Sequence, residues 1–434
     1  MNGTDARRLF AFSVGTAALS GLLFGFDTAV IAGVTADLRR VFALSELWLG
    51  ITVSVALWGT LAGAFGIGVP GDRYGGRAGL KWMAMFYLLS AIGCALAADW
   101  PMLIVARLLG GIAIGGSSVL APVYIAEIAP ADRRGRLVGL FQLSVVVGIL
   151  LAYLSNALLD GIGPSDAAWR WKLGVAAVPA LLLIALLAKI PDSPRWLALK
   201  GRREEAAAAR AALGIEPLEG PAVGEDQGAA LPVGRYRRPL LLAIGLAAFN
   251  QLSGINAILY YLNDIFAAAG YGAWSAAWQA VAIGAVNLLF TIVGLNLADT
   301  LGRRGVLAIG GAGLTLSLLL TAAIMFELAS RWLLLPALIG FVGFFAMSQG
   351  AVIWTYISEI FPQEVRARGA AIGSGTHWLM NALISAAFPG VAAVSKGGPF
   401  LFFAGAMAMM TLCVLLFYPE TRGVRLEEMK DATG

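Results

Sequence analysis

Charged residues are scarce in this chain of 434 residues. Only 13% of the residues are charged and 59% are hydrophobic, whereas soluble domains average about 25% charged and about 45 to 50% apolar residues. Such a sequence has too few polar residues to cover a soluble core. We therefore predict a membrane protein.

Cysteine and histidine are almost absent. The two cysteines, Cys94 and Cys413, each lie within an apolar run, which argues against a disulfide framework and a metal cluster. The single histidine is His377, and the sequence has no H-E-x-x-H or paired-carboxylate motif of a membrane enzyme. We expect no enzyme activity, no metal and no cofactor.

Long apolar segments make up most of the sequence. A spanning helix needs about 20 mainly apolar residues, and no small-residue cleavage site follows the first segment, so we expect it to be retained as a helix. The twelve segments that qualify are 9–34, 47–69, 80–98, 102–127, 137–159, 172–190, 240–268, 275–297, 305–326, 333–358, 369–391 and 398–418.

Lysine and arginine lie in short blocks between these segments. With the N-terminus in the cytoplasm, 23 of the 31 basic residues fall in inside segments, 6 fall outside and 2 lie within helices. Cytoplasmic loops carry the excess of basic residues. We predict a multi-pass protein of the cytoplasmic (inner or plasma) membrane with both termini in the cytoplasm. The formal charge of +5 follows from this topology, so we expect no nucleic-acid partner.

The chain divides at its largest polar stretch and repeats itself. We predict an N-terminal six-helix bundle over 1–190, a cytoplasmic linker with a short helix over 191–238, and a C-terminal six-helix bundle with a cytoplasmic tail over 239–434. Three motifs recur at offsets of 227 to 232 residues: GDRYGGR with ADTLGRR, YIAE with YISE, and PDSPR with PETR. Parallel repeats of this kind predict a substrate site at mid-membrane between the two halves.

One carboxylate, Asp27, lies in the middle of the first apolar segment, within GLLFGFDTAVIAGV. A charged side chain at that depth costs at least about 2.5 to 3.5 kcal/mol on insertion scales. Either an ion pair with another helix or a proton or substrate site offsets that cost. Arg107, the other unusual charge, must reach the interface or find an acceptor, and Asp27 is the natural candidate.

Amide side chains lie on several of the apolar segments. Each amide both donates and accepts hydrogen bonds, as a hydroxyl-bearing ligand does, and two tryptophans, Trp354 and Trp378, offer flat apolar faces. The alternative is that amides join helices to one another. The amides are Gln142, Asn250, Gln251, Asn256, Asn287 and Asn381.

Acidic and basic residues cluster where the helices are predicted to reach the cytoplasm. Exposed ion pairs contribute only about 0 to 1 kcal/mol each, so a gate needs a network of them. The alternative is a solvated basic rim that sets topology only. The candidate network is Asp72, Arg73, Arg77, Glu127, Arg134, Asp299, Arg303, Arg304, Glu359 and Arg366.

Eight motifs in order give the chain a specific resemblance. They are GFDTAVIAG, GDRYGGR, RLLGGIAIGGSSVLAPVYIAEIAPADRRGRLVG, PDSPRWL, NQLSGINAILYY, DTLGRR, ISEIFPQEVRARG and PETRG. Together they resemble the sugar porter family of the major facilitator superfamily over almost the full length. The resemblance implies an all-α protein with twelve transmembrane helices in two pseudo-symmetric six-helix bundles. It also implies proton-coupled symport of a monosaccharide, pentose or hexose, by alternating access, with a facilitative uniporter or a superfamily member with another substrate as alternatives. We expect a monomer in the lipid bilayer whose partners are the sugar and the coupling proton.

The same resemblance implies roles for particular residues. Asp27 and Arg107 correspond to the family's proton-coupling pair, and Tyr260 and Tyr261 to its extracellular gate. The charges near the inner helix ends correspond to its cytoplasmic gate, in which Gly76 stands where the family usually has arginine. Sugar-binding positions of the family correspond to Gln142, Gln251, Asn256, Asn287, Trp354, Trp378 and Asn381, together with Asn250 in place of glutamine and His377 in place of an amide. For His377 we consider two roles, donation to a hydroxyl and titration near neutrality.

Overall fold

In this computed structural model the described residues are 3–130, 133–160, 167–215, 234, 236–361 and 365–420, without the side chains of 3–4, 295–296, 298–299, 358–359 and 366–367. Every regular element among them is a helix. Twelve helical stretches in this part of the chain are long and apolar enough to cross a membrane. The predicted all-α polytopic fold is confirmed.

The helices form two compact units. The first comprises residues 1–42 and 55–222, and the second comprises residues 43–54 and 223–434. Much of the predicted linker, residues 216–233 and 235, lies outside the described residues.

The helices up to residue 215 begin and end close to the predicted segments. They are α1 (Gly3–Val30), α2 (Thr35–Val41), α3 (Glu46–Gly66), α4 (Gly68–Tyr74), α5 (Gly76–Leu96), α6 (Trp100–Ile128), α7 (Arg134–Asp160), α8 (Ala168–Gly174), α9 (Ala177–Leu187), α10 (Pro194–Leu199) and α11 (Arg203–Leu213). The last of these confirms the short helix predicted after the sixth apolar segment.

The helices after residue 236 follow the same pattern. They are α12 (Arg237–Leu252), α13 (Ile255–Tyr260), α14 (Leu262–Ala268), α15 (Ala273–Leu301), α16 (Arg303–Met325), α17 (Leu334–Met347), α18 (Gln349–Glu359), α19 (Arg366–Val394) and α20 (Gly398–Phe417).

Local chemistry explains several helix ends. Asp99 caps α6, because its side chain accepts a hydrogen bond of 2.9 Å from the backbone nitrogen of Met102. Ser193 caps α10 in the same way through the nitrogen of Trp196. Helix α11 ends at Gly214, whose φ of 64° is left-handed and favours glycine.

Glycines allow the closest helix contacts within the first unit. A β-carbon at Gly25 of α1 would lie 1.8 Å from the carbonyl oxygen of Val145 on α7. One at Gly111 of α6 would lie 1.9 Å from the carbonyl oxygen of Ala56 on α3. Membrane helices associate through close packing and polar contacts because lipid supplies no hydrophobic driving force. These glycines therefore allow α1 to pack closely against α7 and α6 against α3.

Two apolar segments contain helix breaks near their middle. The seventh breaks between α12 and α13 at Ser253 and Gly254, as predicted, with a φ of 80° at Gly254. The tenth also contains a break, at Ser348, where φ is −116° and ψ is −90°. The Ser348 hydroxyl donates to the carbonyl oxygen of Phe344 at 2.5 Å. Such back-bonding bends helices.

Candidate functional site

Asp27 and Arg107 form a buried ion pair in the first unit. Arg107 Nη1 donates to Asp27 Oδ1 at 3.0 Å, and the exposed fractions of the two side chains are 3% for Arg107 and 13% for Asp27. Within the described part of the chain, Asp27 Oδ2 and Arg107 Nε are buried and have no hydrogen-bond partner. The carboxylate therefore keeps one oxygen free to receive a proton.

A glycine leaves room beside this pair. Gly110 lies about one turn after Arg107 on α6, and a β-carbon there would lie 2.5 Å from Ser90 Oγ and 3.7 Å from Asp27 Oδ1. A methyl group would therefore crowd the hydroxyl on α5 and contact the carboxylate.

Amide side chains form a hydrogen-bonded cluster in the second unit. Gln251 is 2% exposed, and its Nε2 donates to Asn250 Oδ1 at 3.0 Å. Its Oε1 accepts from Asn256 Nδ2 at 2.9 Å. Asn250 Nδ2 is buried with no partner among the described residues. The cluster thus presents an unused donor.

His377 completes this cluster. The Gln251 Nε2 atom lies 3.0 Å from Nε2 and 3.2 Å from Nδ1 of the imidazole. Because the amide nitrogen is the donor, the ring nitrogen that receives its proton acts as an acceptor. His377 therefore orients Gln251 in this arrangement.

Two tryptophans lie beside the imidazole. The ring centroid of His377 is 4.8 Å from that of Trp354 and 5.1 Å from that of Trp378. Trp354 is 40% exposed, whereas Trp378 is only 7% exposed. The exposed Trp354 can therefore offer a flat apolar face to a ligand, and Trp378 mainly supports His377.

The predicted gate tyrosines contact α19 of the same unit. Asn381 Nδ2 donates to the Tyr260 hydroxyl at 3.4 Å, and Asn381 Oδ1 accepts from Ser385 Oγ at 3.1 Å. The Tyr261 hydroxyl donates to the Ser385 carbonyl oxygen at 3.1 Å, and its ring stacks on Phe388 with centroids 5.3 Å apart. Hydrogen bonds and ring stacking therefore hold the end of α13 against α19.

Three predicted sugar residues lie outside this cluster, and one of them is Asn381, which contacts Tyr260 and Ser385. Asn287 is buried on α15, one turn before Thr291. Gln142 is half-buried on α7 and belongs to the first unit. The structure thus brings six of the nine predicted sugar residues into one cluster: Asn250, Gln251, Asn256, Trp354, His377 and Trp378.

Arg77 binds the end of α9 and the segment that follows it in the first unit. Its guanidinium donates to the carbonyl oxygens of Leu187 and Ala188, each at 3.1 Å, and to Asp192 Oδ2 at 3.4 Å. The Tyr124 hydroxyl donates to the carbonyl oxygen of Pro191 at 2.8 Å. Together these bonds fix the PDSPR motif to α5 and α6.

Three further gate candidates in this unit have local partners. Glu127 interacts with Ser193 and Arg195 of the same motif. The Asp72 carbonyl oxygen accepts from Trp196 Nε1 at 2.9 Å. The guanidinium of Arg73 lies 5.2 Å from the ring centroid of Tyr74, and Arg134 is half-buried at the start of α7.

The second unit uses an equivalent arrangement. Arg304 donates to the carbonyl oxygens of Val414 and Leu415 at the end of α20. Glu420 accepts from the backbone nitrogens of Arg303 at 2.9 Å and Arg304 at 3.0 Å. The side chains of Asp299, Glu359 and Arg366 lie outside the described residues.

In the second unit a tyrosine likewise binds the start of the PETR motif. The Tyr356 hydroxyl donates to the carbonyl oxygen of Pro419 at 2.8 Å, the same length as the bond from Tyr124 to Pro191. Neither tyrosine was predicted to have a role. The signal was present, because both stand three residues before the glutamate in the repeated YIAE and YISE motifs.

The chain is similar to known transporters over nearly its full length. It is 36% identical to a glucose transporter of Staphylococcus epidermidis over 443 residues, covering 98% of this chain and 97% of the relative. It is 34% identical to an arabinose-proton symporter of Bacillus subtilis, covering 95% of this chain and 93% of the relative. The inward-open xylose transporter of Escherichia coli has a similar structure, with a TM-score of 0.84, 30% identity and coverage of 98% of this chain and 100% of that one.

The sequence model of one protein family, described as sugar (and other) transporter, matches residues 14–432. Both the family match and the relatives cover almost the whole chain, including the eight motifs quoted above. The chain therefore belongs to the sugar porter family of the major facilitator superfamily.

Proposed function

We propose that this protein carries a monosaccharide, pentose or hexose, across the cytoplasmic membrane together with a proton. The observation that carries the proposal is the buried pair of Asp27 and Arg107, in which one carboxylate oxygen has no partner among the described residues. An intramembrane carboxylate is a functional site by default because its burial is costly. Asp27 is the proton-binding residue, and Arg107 stabilises its deprotonated form.

The polar cluster around Gln251 suits a sugar. Hydroxyl groups donate and accept hydrogen bonds as amides do, and Asn250 Nδ2 is a buried donor without a partner in the described structure. The exposed face of Trp354 can pack against the C–H side of a sugar ring. The relatives named above transport glucose, arabinose and xylose, which supports a monosaccharide as the substrate.

The proposed cycle is alternating access. Asp27 takes a proton from outside, Arg107 is released, sugar binds, and the site then opens to the cytoplasm where the proton leaves. One charge moving through 100 mV corresponds to about 2.3 kcal/mol, enough for about fiftyfold accumulation. Tyr260 and Tyr261 form the extracellular gate, and the charged network at the inner helix ends forms the cytoplasmic one. The protein works as a monomer with cytoplasmic termini and needs no cofactor besides the proton.

Uptake into proteoliposomes tests the proposal. A panel of labelled pentoses and hexoses is applied with and without an imposed proton gradient, to wild type and to Asp27→Asn. We expect the wild type to accumulate one sugar only when the gradient is present. The variant should exchange that sugar across the membrane without accumulating it.

Three outcomes would overturn this proposal in whole or in part. Accumulation that survives in Asp27→Asn would remove Asp27 from the coupling step. Equilibration of sugar by the wild type without any response to the gradient would identify a uniporter. If no monosaccharide binds in calorimetry, the substrate is another solute of the superfamily.

A further inference from the structure

A buried lysine lies at the C-terminal end of helix α1. Lys172 of α8 is only 2% exposed. Its Nζ donates to the carbonyl oxygen of Gly33 at 2.8 Å and to Asp160 Oδ1 at 2.5 Å. A cation so deeply buried requires partners, and these two come from different parts of the first unit.

The end of α1 lacks backbone partners for some of its carbonyl groups. The last carbonyls of a helix have no donors within the helix, and α1 passes at Val30 into a 3-10 turn over Ile31–Gly33. The Val30 carbonyl oxygen accepts from Asn156 Nδ2 at 3.1 Å. The Gly33 carbonyl oxygen accepts from Lys172. Two buried side chains thus complete this helix end.

Glycine at position 33 makes this contact possible. A β-carbon there would lie 2.3 Å from Asn156 Nδ2. The helix end, Asn156 and Lys172 are therefore packed too closely for any larger residue. A cation is also favourable at this place because the helix dipole is negative at its C-terminus.

Asp27 lies three residues before Val30, which is about one helical turn. Its hydrogen bond to Arg107 is 3.0 Å long, and hydrogen bonds weaken steeply outside a narrow range of distance and angle. Displacement of the last turn of α1 would therefore carry Asp27 away from Arg107. The geometry of the pair depends on how this helix end is held.

We propose that Lys172 is a positioning residue for Asp27. With Asp160 as its counter-ion, it anchors the end of α1 and keeps the Asp27 carboxylate against Arg107. The inference rests on the proposed function, since it assigns the anchor to proton coupling rather than to folding alone. It adds a second ion pair, on α7 and α8, to the coupling apparatus.

The neighbouring Arg170 offers a matched control. It lies on the same helix as Lys172, donates from Nη1 to the Ala95 carbonyl oxygen at 3.0 Å, and lies 4.4 Å from the ring centroid of Trp169. Neither contact involves α1. Arg170→Met removes one cation from α8, as Lys172→Met does, but leaves the anchor of α1 in place.

Two measurements in proteoliposomes separate positioning from general damage. The first is sugar accumulation under an imposed proton gradient, and the second is counterflow, which exchanges sugar without net proton movement. Loss of a charged hydrogen bond corresponds to about a tenfold change in an equilibrium. We expect Lys172→Met to lower accumulation about tenfold while counterflow stays within about twofold of wild type. Arg170→Met should leave both within about twofold.

Equal loss of accumulation and counterflow in Lys172→Met, or no loss of either, would overturn the inference. Failure of the proposed function gives a different result: Asp27→Asn, measured in parallel, would then accumulate sugar like the wild type. If Lys172→Met is not recovered in folded form, Lys172→Arg and Asp160→Asn decide. The first should retain accumulation because the cation remains, and the second should lower it with counterflow preserved. Loss of accumulation in Lys172→Arg together with normal accumulation in Asp160→Asn would also overturn the inference.

Discussion

At the scale of single residues, the site depends on polar atoms whose partners are fixed. Gln251 uses its amide nitrogen for Asn250 and His377 and its amide oxygen for Asn256. This leaves the amide no freedom to rotate without losing a bond. A side chain held in this way meets a ligand without a further loss of conformational entropy.

His377 is therefore expected to affect sugar affinity through Gln251. Replacement by leucine removes the acceptor and leaves a buried N–H unpaired, which weakens binding about tenfold. Replacement by glutamine keeps an acceptor and should stay within about threefold of wild type. Calorimetry with the sugar identified in the uptake panel measures both values. Equal affinities for the leucine variant and the wild type would show that the imidazole does not orient Gln251.

At the scale of elements, the break between α12 and α13 depends on one glycine. Gly254 has a φ of 80°, and a β-carbon there would lie 2.3 Å from Cδ2 of Phe403. Both facts exclude a larger residue without a shift of the backbone or the ring. The break separates Asn250 and Gln251 from Tyr260 and Tyr261, so its geometry affects how the amide cluster is placed relative to the proposed gate.

We expect Gly254→Ala to destabilise the protein by at least about 1 kcal/mol, because a left-handed conformation alone costs a residue with a β-carbon that much. The matched control is Gly405→Ala on α20, where a β-carbon would meet nothing within 4 Å. Alanine at an open helical position is neutral or stabilising by up to about 1 kcal/mol. Thermal unfolding in detergent compares the two. Equal midpoints would show that the break tolerates a β-carbon.

Two tyrosine hydrogen bonds also join elements to one another: the bond from Tyr124 to Pro191 and the bond from Tyr356 to Pro419. Tyr124→Phe and Tyr356→Phe each remove one hydroxyl donor from a proline carbonyl, at a cost of about 1 kcal/mol of unfolding free energy. Because the bonds have the same length, 2.8 Å, we expect similar losses in both units. Tyr74→Phe, at a residue that is 47% exposed, should change stability by less than about 0.5 kcal/mol. A large difference between the first two variants would contradict their equivalence.

At the scale of the whole molecule, the sequence repeat is reproduced as a repeat of contacts. Gly75 and Gly302 both have a positive φ, 89° and 79°, at the turn before a helix that begins with the next residues. Arg77 and Arg304 then donate to carbonyl oxygens at the end of a later helix of the same unit. Each unit thus uses the same local chemistry at these motifs.

The positive-inside pattern predicts which ends face the cytoplasm, and cysteine labelling tests it. In a background without Cys94 and Cys413, Leu328→Cys follows α16 and should react with a membrane-impermeant maleimide in intact cells. Lys200→Cys follows α10 and should react only after the membrane is opened. Both positions are exposed in the structure, so access to the side chain is matched. The opposite pattern would show that the basic residues do not set the orientation.

The helices themselves followed from the sequence, since a bilayer requires long apolar segments and these leave a strong pattern. The sequence also located Asp27 and Arg107 and the break at Gly254, because an intramembrane charge and a serine–glycine pair are local signals. No prediction was made for the break at Ser348, because a serine within an apolar segment does not by itself mark a break.

What the sequence determined by itself was the class of protein, the helices and the residue types available for chemistry, since these depend on composition and order along the chain. Only the tertiary structure decided which side chains meet. It brought Arg107 into hydrogen-bond distance of Asp27, 80 residues away in the sequence, and Lys172 into hydrogen-bond distance of Gly33, 139 residues away. It did the same for His377 and Gln251, which are 126 residues apart. Such pairs form because buried polar groups must find partners, and the packing of the helices determines which partners lie within reach.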